Sequence, residues 1–141
     1  MLRGMSTISL WADDVTEAVD WYTEVLGVEP YFERPGQGLP PAYVEFRIGD
    51  HQHELGIIDR RYAPGPARPG PGGAVVFWHV DDVEGAVGRL LGLGATEYEP
   101  ITRREAGFVT ASVVDPFGNV LGVMYNPHYL EMLDARRPPR P

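Results

Sequence analysis

Residues 8–19 read ISLWADDVTEAV, and residues 76–87 read VFWHVDDVEGAV. Each stretch passes from strand-like residues through Asp-Asp-Val into apolar positions spaced by three and four, which predicts a short strand, a capped helix start and a helix. The shared flanks make this a duplication, and they set the plan for the rest of the chain.

Working outward, each Asp pair suits a helix N-terminus, where a carboxylate meets free amides and the positive end of the dipole. Asp13, Asp14, Asp81 and Asp82 are therefore read as start signals and not as catalytic groups. In the first helix Val15, Ala18, Val19, Tyr22, Val25 and Leu26 form the buried stripe and Gly27 ends it. In the second, Val83, Ala86, Val87, Leu90 and Leu91 do the same, ending around Gly92 and Gly94. Three strand candidates follow each helix, at 28–32, 42–48 and 51–58 and again at 96–101, 108–114 and 120–124. The result is βαβββ twice, an α+β fold in a single domain. Its modules span about 6–58 and 74–127, with a linker dense in Pro and Gly at 59–73 and a tail at 128–141.

Composition narrows the function classes. A formal net charge of −8 disfavours nucleic acid and anionic membranes as partners, because neither polyanion gains from an acidic surface. A cationic ligand gains instead. With no cysteine there is no disulfide, thiolate metal site or Cys nucleophile. No apolar run approaches the ~18 residues of a membrane span, and the N-terminus lacks a signal-type apolar core, so a soluble cytoplasmic protein is expected.

Together with DPFGNVLGVMYNP at 115–127, the two repeats resemble the vicinal oxygen chelate superfamily, which includes glyoxalase I, bleomycin resistance proteins and extradiol dioxygenases. The resemblance covers about residues 7–127 and speaks to fold more than to function. It implies two modules whose mixed sheets curve around a shared cleft with helices outside, often in a homodimer. Family enzymes hold a metal with two His and two Glu. The matching positions here are Thr7, Val75, Glu54 and Gly122, of which Glu54 alone is a ligand type. No metal and no cofactor is expected on that basis.

If Thr7 and Val75 face the cleft, strand alternation turns Ser9, Trp11, Phe77 and His79 to the same side. Val44, Phe46 and Ile48 then pack under the helix, which sends Tyr43, Glu45 and Arg47 to the cleft. In the second half Phe108, Thr110, Ser112, Gly122 and Met124 follow the same rule. This lining of aromatics with few polar groups is how organic-ligand pockets are built. The expected binding set is Trp11, Tyr43, Glu45, Arg47, Glu54, Phe77, His79, Phe108, Gly122 and Met124.

Glu54 and His79 are the acid/base candidates. A salt bridge from Glu54 to Arg47 is the favoured bland explanation for the first. A hydrogen-bonded wall residue is the bland explanation for the second. His51 and His53 flank a turn and are read as hairpin chemistry. Two functions stand: metal-independent binding or sequestration of a small organic molecule, as in the bleomycin resistance branch, or a metal-independent lyase or isomerase using Glu54 or His79.

Overall fold

The computed structural model describes residues 5–35, 40–63 and 70–137. The chain forms two compact units, one running to Gly70 with Phe117–Asn119 added, the other comprising Pro71–Pro116 and Val120–Pro141.

In the first unit β1 (Thr7–Ala12) leads into α1 (Val15–Leu26), then β2 (Phe32–Pro35), β3 (Pro41–Ile48) and β4 (His53–Asp59). The sheet order is β1-β4-β3-β2, with β1 parallel to β4 and the other pairs antiparallel. In the second unit β5 (Val76–His79), α2 (Val83–Gly92), β6 (Thr96–Arg103), β7 (Val109–Val114) and β8 (Val120–Tyr125) repeat the plan in the order β5-β8-β7-β6. α3 (Pro127–Ala135) follows.

The helix signals act as their chemistry requires. Asp14 accepts a hydrogen bond from the Glu17 amide at 2.9 Å and Asp82 from the Gly85 amide at 3.0 Å, each capping its helix. Gly27 ends α1 in the left-handed region at φ 67°. α1 packs on β1, β3 and β4, and α2 on β6, β7 and β8. Under α1 the alternation holds: Val44, Phe46, Leu55 and Ile57 are fully buried, each burial worth roughly 1.5–3 kcal/mol.

Two expectations shift. The strand placed at 28–32 begins only at Phe32, because the left-handed exit at Gly27 leaves 27–31 as bends and irregular chain, tied to β3 only at its end by the Tyr31 amide. The tail placed at 128–141 is helical through Ala135 as part of α3, whose cap is Asn126 accepting from the Tyr129 amide at 3.1 Å, with Pro127 in the first turn, while 138–141 lies outside the described residues. In the linker, Arg60–Tyr62 forms a 3₁₀ turn, while 64–69 lies outside the described residues.

Candidate ligand-binding site

Strand register sorts the exposed face of the first sheet into three rows. Thr7, Glu54 and Arg47 form one, Ser9, Gly56, Glu45 and Phe32 the next, and Trp11, Ile58, Tyr43 and Arg34 the third. The chemistry collects around Glu45. Its two carboxylate oxygens accept hydrogen bonds from the hydroxyls of Tyr31 and Tyr43, and the residue is only 9% exposed. Tyr31 is also tied to Glu45 through the backbone, its amide donating to the Glu45 carbonyl at 3.0 Å.

Gly56 makes room for this arrangement. A Cβ there would lie 2.8 Å from Cε2 of Tyr43, so only a glycine floor lets the ring lean from the third row over the second. Phe32 meets Tyr43 edge to face at 6.2 Å between centroids, extending the aromatic wall.

Burial pushes the Glu45 carboxyl above the usual carboxylate range, the Glu54 charge adds to this, and the Arg47 charge opposes it. Burial, then Glu54, likewise raises Tyr43. The ion pair expected between Arg47 and Glu54 does not form, although the two are cross-strand partners. Glu54 takes the Thr7 hydroxyl at 2.9 Å, and Arg47 lays its guanidinium over the Tyr31 ring, 4.1 Å from the centroid. Trp11 is half-buried, and its backbone is held by Asn119, as described below.

The other half of the expected set lies in the second unit. Phe77, Gly122, Ser112 and Glu99 form one row, His79, Met124, Thr110 and Thr102 the next. A Cβ on Gly122 would lie 2.7 Å from Cδ1 of Phe77, so the ring fills the space a side chain there would need. Glu99 accepts from Ser112 at 3.0 Å. His79 is engaged at both ring nitrogens: Nδ1 accepts from the Asn126 amide at 3.1 Å, and Nε2 faces Asp81 at 3.4 Å. Its ring stacks on Tyr129 at 4.7 Å, so it ties α3 to the end of β5. Phe108 is half-buried just ahead of β7.

Register also aligns the two halves. Ser9, Gly56 and Glu45 in one unit occupy the places of Phe77, Gly122 and Ser112 in the other. Gly122 thus corresponds to Gly56, and both positions are glycine beneath an aromatic ring. Of the expected ligand positions Thr7, Val75, Glu54 and Gly122, Glu54 alone carries a ligand type, and the Phe77 ring covers Gly122. Among the described residues no three His, Asp or Glu side chains converge as a metal group. The His51 and His53 rings lie 5.7 Å apart on the exposed hairpin.

An open depression of about 490 Å³ lies elsewhere in the second unit, lined in part by Asp81, Asp82, Glu84, Arg103, Val109 and Tyr125. Its charged groups are already spoken for, Asp82 by the α2 cap and Glu84 by Arg103 at 3.7 Å.

Sequence reasoning missed Tyr31 and Gly56. Tyr31 sits in a bend just ahead of β2, where the strand expected at 28–32 does not form, and Gly56 is adjacent to the apolar pair Ile57-Ile58, which carries the strand signal.

A fold of paired βαβββ units with an aromatic face of this kind defines a class, and comparison places the chain in it. The profile of the Glyoxalase/Bleomycin resistance protein/Dioxygenase superfamily matches residues 4–123, and the chain belongs to that superfamily. Similar solved structures include a glyoxalase-related enzyme from Fulvimarina pelagi, with 20% identity, TM-score 0.68, and coverage of 89% of this chain and 90% of that one. A lactoylglutathione lyase from Agrobacterium tumefaciens shares 24% identity with TM-score 0.64, covering 89% and 95%. TioX from Micromonospora sp. ML1 shares 18% with TM-score 0.63, covering 86% and 98%. At these identities the likeness concerns the fold. No curated protein matches in sequence. Among the described residues no helix is long and apolar enough to cross a membrane.

Proposed function

We propose that the chain binds a small organic molecule, without a metal ion, on the exposed face of the first unit's sheet. The observation that carries this reading is Glu45. A carboxylate withdrawn from water at about a tenth exposure is costly unless its oxygens are satisfied, and here two phenols satisfy them among aromatic rings over a glycine floor. Polar atoms oriented among apolar walls are what an organic ligand uses. Membership of a superfamily that includes bleomycin resistance proteins supports the same reading, and we infer sequestration by a homodimer as its form.

A second reading, a metal-independent lyase or isomerase, is favoured by one observation: Glu54 lies near enough to raise both Glu45 and Tyr43. A carboxyl raised by burial and by a neighbouring carboxylate is suited to hold and release a proton as a general acid or base. That moves the proton chemistry from His79, which is held by Asn126, to Glu45 with Glu54.

The test is a thermal-shift screen of planar and cationic organic compounds and small α-keto compounds, with divalent metals and a chelator control. A ligand at 100 times its dissociation constant adds roughly 2.7 kcal/mol of stability. Stabilisation by an organic compound and by no metal is expected. A chelator-reversible metal shift overturns the reading.

A further inference from the structure

The contact between Arg47 and Tyr31 has a meaning beyond packing. Arg47 is exposed, yet its guanidinium lies 4.1 Å from the centroid of a ring whose hydroxyl donates to a carboxylate. Donation to an anion enriches the ring in electron density, which strengthens its attraction for a cation. Glu45 and Glu54 flank the same spot and make it more attractive to positive charge. Among the described residues neither carboxylate forms an ion pair with Arg47. The guanidinium is therefore held by one ring and by diffuse attraction, which makes it an occupant that can leave.

Resting on the binding reading above, we propose that this face recognises an organic cation, a guanidinium, amidinium or ammonium group on a planar or apolar body, and that Arg47 occupies the cation position until the ligand displaces it. The Tyr31 ring and the Glu45 and Glu54 charges take the cationic group, and Tyr43 and Phe32 take the body. An anionic ligand would have to approach two carboxylates, and the net charge of −8 opposes it at longer range.

Benzamidine, benzamide and benzoate share one ring and carry a positive, zero and negative charge. Titrating each into the isotopically labelled full chain, followed by amide chemical shifts, separates the parts of the proposal. Benzamidine should bind roughly tenfold tighter than the other two, and Arg47→Met should bind it roughly two- to fivefold tighter still. Arg136→Met removes the same charge from the second unit and should change nothing. Tyr31→Leu should lose the preference for benzamidine, with circular dichroism confirming that each variant folds. Equal binding of benzamide or benzoate on this face overturns the charge class and leaves the binding reading standing. Unchanged or weaker benzamidine binding by Arg47→Met overturns the displaced occupant. Failure of all three to shift any amide of the face overturns both.

Discussion

The ring of Tyr43 rests on Gly56, with no room for a Cβ between them. That contact directs the Tyr43 hydroxyl to Glu45. Gly56→Ala must push the ring away, and overpacking of this kind costs about 1–3 kcal/mol. Tyr43→Phe removes a donor from a buried carboxylate, again about 1–3 kcal/mol. The double variant should lose less than the sum, because both changes break one contact. Urea unfolding of the four proteins measures this, and full additivity would show that the two residues act independently.

Asn119 uses its carboxamide as a piece of strand. Oδ1 accepts from the Trp11 amide at 3.1 Å and Nδ2 donates to the Trp11 carbonyl at 2.9 Å, on the edge of β1. Arg60 adds a bond to the Phe117 carbonyl at 2.8 Å. Asn119→Ala leaves both Trp11 groups without this partner and should cost about 1–3 kcal/mol. Asn119→Asp keeps the acceptor but loses the donor, and thermal melts should place it below the wild type as well.

Asp59 closes β4 by accepting from Arg61 at the backbone amide and twice at the guanidinium, at 2.8–2.9 Å. The Arg61 hydrogen bonds hold its carboxyl below the usual value of 3.8. A folded-state value lowered in this way contributes stability in full above about pH 4, lost as pH falls through the folded value. Asp59→Asn should therefore flatten the acid limb of the melting profile and lower stability at neutral pH.

Glu45 carries the opposite sign. Its folded-state value is raised above 4.5, first by burial and then by Glu54, so its contribution is complete below 4.5 and lost as pH rises through the folded value. Relative to Glu45→Gln, the wild type should gain stability on acidification from pH 7. A difference that does not change with pH would place the Glu45 carboxyl in an ordinary, solvated environment.

The parts legible in the sequence are those decided locally. The Asp14 and Asp82 caps, the Gly27 stop and the strand alternation at Val44, Phe46 and Ile48 each depend on residues within a few positions. The third helix had a readable signal in Asn126-Pro127, a cap followed by a first-turn proline, which a polar tail obscured. The centre of the site was not legible in the same way. Tyr31 reaches Glu45 from outside the strands, Gly56 matters because of a ring from the next row on the neighbouring strand, and Asn119 answers a strand edge 108 positions distant. Each is a tertiary coincidence that periodicity does not encode. Glu54 and Arg47 share one face of the sheet, but the Tyr31 ring, which lies outside the strand pattern, and the Thr7 hydroxyl, which lies within it, claim their polar groups.

The most direct measurement is a map of amide chemical-shift changes when a stabilising organic ligand from the thermal screen is added. Binding as described moves Tyr31, Tyr43, Glu45, Glu54 and Gly56 together, and Glu45→Gln weakens the titration. Changes confined to residues 81–84 and 103–109 would place the ligand in the second unit's depression instead and contradict the account.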